Sequence, residues 1–304
     1  MTREESADRR ALTQTASPPL ARASGASPTI GLALGGGGAR GLAHIAVLET
    51  LEEMGLRPSR IAGTSIGAIY GAAAASGLSA AQIRAFTEAT LIDRFALVRQ
   101  LFSARSDPRR KALSFFPVRS AFLKPETVID YVLPPTVAHT FADLTIPLEI
   151  TATDISTTER VVLTDGDLPT AIAASIAIPI LFSPVSREDR LLLDGGLTNP
   201  CPYDLVQDAC DITIAIDVSG SAAPRVFEGV PTAIEVGVQT SQIMQKAITR
   251  ERLKANPPDV YIDVALDQFT ALEFYKAKEI IEASLPVKDE LRAKLSRILG
   301  SETI

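Results

Sequence analysis

The sequence predicts an α/β protein, and three observations carry that expectation. Apolar patterns of helix and strand type alternate along the 304 residues instead of segregating into blocks. The first ordered stretch reads strand, glycine-rich turn, helix, strand, helix, which implies parallel pairing through a right-handed crossover. The chain is 46% apolar and 22% charged, enough for one large core and too balanced for a disordered, collagenous or disulfide-built protein.

Residues 1–28 are polar and rich in Ala, Ser and Pro, which predicts a disordered tail. No apolar stretch follows Arg9-Arg10, so a twin-arginine signal is not expected and the reading is a cytoplasmic protein. Residues 29–34 predict a buried strand. A helix follows over about 38–54, with Leu42, Ile45, Leu48 and Leu51 at helical spacing, and Gly55 and Pro58 end it. A second strand at 59–63 leads into Ser65, which opens a small-residue helix to about Ser76. Helices are expected at 79–91, 125–133, 168–176 and 229–254, and strands at 147–154, 159–164, 190–193, 211–217 and 259–264. Two C-terminal helices separated at Pro286 complete the chain, the last with Leu291, Leu295, Ile298 and Leu299 on one face. The uncharged stretches 61–83 and 168–186 are too rich in Gly, Ala, Ser and Pro for spanning helices and read as buried core.

A net charge of −6 argues against nucleic acid as a partner. The charge is uneven, however. Between Arg94 and Lys124 eight basic residues face one acid, Asp107, which leaves 22 basic and 35 acidic residues elsewhere. Phe95, Phe102, Phe115, Phe116 and Phe122 lie in the same stretch. Two readings fit 93–123: a flap that docks on membrane surfaces, or a solvated loop whose phenylalanines pack on the core. Cys201 and Cys210 offer neither a disulfide framework nor metal spacing, so no metal is expected.

Three motifs carry chemistry. The run Gly35-Gly36-Gly37-Gly38-Ala39-Arg40-Gly41 sits between a strand and a helix, where bare backbone N–H groups at a helix start favour negative charge. Gly36, Gly38 and Gly41 satisfy a dinucleotide fingerprint, but the next strand ends in Gly63-Thr64-Ser65 without the acidic residue that fingerprint needs. The Lys-Ser/Thr pair of a nucleotide P-loop is missing too. An oxyanion site at Gly36, Gly37 and Gly38 needs only the N–H groups. The second motif, Gly63-Thr64-Ser65-Ile66-Gly67, is G-x-S-x-G at a strand-to-helix junction, the context of a nucleophile elbow; the other reading is a helix N-cap serine. A serine nucleophile needs a base. The histidines, His44 and His139, lack triad context and read as packing or surface residues. The carboxylate candidate is Asp194, which ends an apolar strand before Gly195-Gly196. Burial there would raise its pKa and favour a base, whereas Asp-Gly is also a common turn pair.

Together these residues resemble the patatin-like phospholipase family, and within it the short bacterial branch. Gly36 to Gly41 is similar to the oxyanion block, Gly63 to Gly67 to the nucleophile block and Asp194-Gly195-Gly196 to the acid block. Ala174-Ser175-Ile176-Ala177-Ile178-Pro179 resembles the segment between them, and Leu34 to His44 fit the branch's opening string. The resemblance covers about residues 29–220. It implies a three-layer α/β/α fold, a Ser65–Asp194 dyad without a catalytic histidine, an acyl-serine intermediate, lipid acyl esters as substrates and no cofactor. Arg40 is then expected to order its loop. A thioesterase or small-ester hydrolase keeps the same chemistry, and a non-catalytic regulatory protein keeps the same fold. Residues 221–304 read as a mostly helical extension on the same domain, either covering the sheet or forming a homodimer interface.

Overall fold

The computed structural model describes residues 28–90, 123–220 and 233–300. The expected tail at 1–28 lies outside these except for its last residue, and the basic-aromatic stretch 93–123 lies outside them except for Leu123.

Among the described residues eight strands make one mixed sheet: β1 (Ile30–Leu34), β2 (Arg60–Thr64), β3 (Leu148–Asp154), β4 (Arg160–Leu163), β5 (Val185–Arg187), β6 (Arg190–Asp194), β7 (Ile212–Asp217) and β8 (Val260–Asp263). Their order is β5-β6-β3-β2-β1-β7-β8, with β4 also paired to β3. The pairs among β3, β2, β1, β7 and β8 are parallel. β4, β5 and β6 add an antiparallel edge. β1 is central and buried along its whole length, as expected for a strand covered on both faces. Its alternate residues Ile30, Leu32 and Leu34 enter the main core. Ala33 turns the other way, toward a second cluster with Tyr203, Val206 and Leu253. The result is the α/β/α layering of a mostly parallel sheet.

The helices that matter for the site are α1 (His44–Glu53), α2 (Ile66–Ala75), α3 (Pro125–Val132), α4 (Leu168–Ser175), α5 (Ala233–Ala255), α6 (Ala277–Ala283) and α7 (Pro286–Leu299). Residues 80–90 are helical as well. Among the described residues no helix is long and apolar enough to cross a membrane.

Three details differ from the sequence expectation. The helix expected from Gly38 begins as a 3-10 turn over Gly38–Ala43, and regular α-helix starts only at His44. A Cβ on Gly38, whose φ is +61°, would overlap the Ala271 carbonyl, so this entry is shaped by close backbone approach. The short strand β5 was not expected, because three residues are too few to show a period. On α7, Leu291 and Leu295 are buried but Ile298 is exposed, because the buried arc narrows in the last turn.

Candidate active site

Ser65 follows β2 directly and stands at the N-cap of α2 with φ 54° and ψ −121°. An L-residue rarely adopts this backbone, and such strain is typical of functional turns. The turn is sharp because its flanks are bare. A Cβ on Gly67 would strike the Leu34 carbonyl, and one on Gly63 would strike Ala68. The Ser65 N–H is not left to the helix start: it donates to Ser175 Oγ at 2.8 Å, from the buried end of α4. Sequence reasoning quoted Ser175 within a motif but gave it no role. Only the spatial meeting of α4 with the β2–α2 turn reveals one.

Asp194 ends β6, and its carboxylate reaches Ser65. Ser65 Oγ donates to Asp194 Oδ2 at 2.7 Å. The Gly196 N–H donates to Asp194 Oδ1, also at 2.7 Å. Asp194 is 3% exposed and Ser65 6%. Burial pushes the Asp194 carboxyl up to about 6, against the two hydrogen bonds that favour its charged form. Its main chain is also fixed: Thr153 Oγ1 donates to the Asp194 carbonyl, and the Asp194 N–H donates to the Ala177 carbonyl. Gly195 sits so close to Thr151 that a Cβ would overlap its carbonyl.

The glycine loop lies alongside. The Gly35 N–H donates to the Ile216 carbonyl, and the Gly36 N–H to the Pro200 carbonyl at 2.9 Å. Of the three expected oxyanion donors, Gly36 is therefore engaged within the chain. The N–H groups of Gly37 and Gly38 have no acceptor among the described residues. Behind the loop His44 is fully buried and held near 4 by burial, so its ring is neutral around pH 7. Its Nε2 lies 2.9 Å from the Gly35 carbonyl, which makes Nε2 the protonated nitrogen. His44 thus shapes the loop from behind, and His139 is exposed. Arg40 is buried in the 3-10 turn, with its guanidinium against the Cα of Gly220. Gly41 abuts Ile66, tying this turn to the Ser65 turn.

These elements border one cleft. Gly36, Gly37, Gly38, Ser65 and Asp194 line it on one side. Ile178, Pro179, Leu197 and Ala271 add apolar walls, and Val238, Ser241, Gln242 and Gln245 come from α5. Among the described residues no cluster of three His, Cys, Asp or Glu side chains is placed to hold a metal ion. The arrangement offers a serine hydroxyl, a carboxylate acceptor and free backbone donors, the parts list of acyl transfer.

The family model "Patatin-like phospholipase" matches residues 32–206. An uncharacterised NTE family protein of Mycobacterium tuberculosis is 35% identical over 211 residues, covering 67% of this chain and 53% of the relative. The lysophospholipase NTE1 of Pyricularia oryzae is 25% identical over 305 residues, covering 88% of this chain and 20% of the relative. This chain therefore spans about half the length, or less, of these curated relatives. Among solved structures, ExoU of Pseudomonas aeruginosa in its complex with SpcU shares 19% identity at a TM-score of 0.45, over 90% of this chain and 52% of that one.

Proposed function

The chain belongs to the patatin-like phospholipase family, and on that premise we propose that it is a lipid acyl-hydrolase using Ser65 as nucleophile and Asp194 as base. The single observation that carries this reading is the 2.7 Å hydrogen bond from Ser65 Oγ to a buried carboxylate that forms no ion pair with a described residue. A carboxylate pushed up to about 6 is ionised at neutral pH yet basic enough to take a proton.

In the proposed reaction Asp194 accepts the Ser65 proton while Oγ attacks the ester carbonyl. The N–H groups of Gly37 and Gly38, joined by that of Ile66 at the start of α2, stabilise the oxyanion. Each such donor contributes about 3 kcal/mol to the transition state. The tetrahedral adduct collapses, the C–O bond to the alcohol breaks, and Asp194 returns the proton to the departing oxygen. Water then gives a proton to Asp194 and attacks the acyl-serine. Fatty acid leaves, and Ser65 regains its proton. The lipid is reached from a membrane surface, with 93–123 as the docking segment. No step calls for a metal or cofactor.

A fluorophosphonate probe tests this, with the intact chains weighed. One adduct on the wild type and none on Ser65→Ala is the expected result. A folded wild type that takes no adduct, with or without anionic liposomes, would remove the dyad.

A further inference from the structure

The wall of the cleft facing the dyad comes from a part of the chain that the family match does not reach. α5 lies beyond residues 32–206, and it lines the cleft with Val238, Ser241, Gln242 and Gln245. Gln242 is 7% exposed. The Gln245 amide lies so near Gly196 that a Cβ there would meet its Nε2 and Cδ, on the side where Asp194 Oδ1 sits. Neither amide is hydrogen-bonded to a described residue. Gln242 is buried and Gln245 half-buried, so the hydrogen bonds of both amides are completed from outside the chain. Water in the free protein, or a bound substrate, can do so.

The direction of the reaction says which part of the substrate that is. The carbonyl oxygen points to the Gly37 and Gly38 N–H groups. The alcohol oxygen must lie beside Asp194, because Asp194 returns the proton to it. The alcohol portion therefore projects toward Gln245 and Gln242, leaving Ile178, Pro179, Leu197 and Val238 for apolar chain. A glutamine amide both donates and accepts, as a hydroxyl does. An anion in the same place would face the ionised Asp194 carboxylate and be repelled.

We propose that Gln242 and Gln245 form the alcohol-side subsite and read an uncharged hydroxyl there, so that acyl esters of polyols are preferred over esters of simple alcohols. The proposal rests on the hydrolase reading above. An ester without the hydroxyl strips water from the amides and replaces it with nothing, and sites of that kind discriminate strongly.

The test compares kcat/KM on 1-decanoylglycerol and on propyl decanoate, its counterpart without the two hydroxyls, in the same detergent micelles. Wild type, Gln242→Leu, Gln245→Leu and the double variant are measured, and fluorophosphonate labelling of Ser65 in each reports that the dyad is assembled. Presentation in the micelle is common to all four proteins, so a change of ratio between them reports the site. The wild type should favour the glyceryl ester by about tenfold or more, and the double variant should bring the ratio most of the way to unity. If a leucine variant takes no label, the methionine variant at that position supplies the reading. An equal ratio in labelled wild type and labelled double variant would overturn the subsite. A wild type unlabelled at Ser65 would remove the hydrolase reading and the subsite with it.

Discussion

Asp194 and Asp217 are built alike and end differently. Each closes a strand, β6 or β7, and each is buried. Each carboxylate accepts the N–H two residues on, from Gly196 at 2.7 Å or Ser219 at 2.8 Å. From there they part. Asp217 Oδ2 accepts from Lys246 Nζ at 3.2 Å and from the Tyr261 hydroxyl at 2.7 Å, and Lys246 also pairs with Asp263 at 2.8 Å. Among the described residues Asp194 receives only the neutral Ser65 hydroxyl on its other oxygen. Burial alone therefore does not make a base. A buried carboxylate with a cation is a strut that holds α5 against the sheet, and one without a cation keeps its appetite for a proton.

The largest expected effect separates the two directly. Ser65→Ala and Asp194→Asn should each lower kcat by about 10⁴-fold or more on a micellar acyl ester, because members of a coupled pair fail together. Asp217→Asn should leave the activity of folded protein within about tenfold of wild type while costing about 2–3 kcal/mol of stability, read from the urea midpoint. Wild-type turnover in Asp194→Asn, or equal loss in a folded Asp217→Asn, would erase the distinction.

Stability against pH sharpens it. In the native state Asp194 holds its proton up to about pH 6, against about 3.8 for an unburied aspartate, so raising pH through that window weakens the fold. Asp194→Asn should then be more stable than wild type at pH 7.5 by up to about 3 kcal/mol, and the gain should vanish below about pH 4 in parallel denaturation curves. His44 works with the opposite sign. It stays neutral in the native state down to about 4 but binds a proton below 6.5 when unfolded, so acid weakens the fold there. The two slopes oppose one another in wild type, and the asparagine variant should uncover that of His44. In the pH–rate profile, kcat/KM should fall about tenfold per pH unit below about 6 as Asp194 takes a proton. A profile flat from pH 7 to 5 would contradict the base assignment. Smallest is Ser175→Ala, which strips the acceptor from the Ser65 N–H; kcat should drop about tenfold, equivalent to about 1.4 kcal/mol.

Much of this was legible in the sequence, for local reasons. The glycine run, the Ser65 turn and Asp194-Gly195-Gly196 each encode a backbone bend within a few residues, and the mostly apolar runs of β1 and β7 match their burial. What stayed hidden needs two distant segments to meet. No periodicity links Ser175 to the Ser65 N–H, Pro200 to the Gly36 N–H, or Lys246 to Asp217. Gln242 and Gln245 look like solvated helix residues until α5 is laid against the cleft. Asp194 admits two readings from sequence, turn and base, because its Ser65 partner lies 129 residues away along the chain.

The turn at the opposite end of β6 from Asp194 governs what stands in the cleft. β5 and β6 join through Glu188 and Asp189, with φ of 50° and 60°, so Arg187 pairs with Arg190 and Leu192 with Val185. Side chains on a strand alternate faces, so a slip of one residue would bring Leu193 to the place of Asp194. The Glu-Asp pair thus acts as the indexing pin of β6: two strained, solvent-side residues with no chemistry of their own decide whether a carboxylate or a hydrocarbon meets the serine.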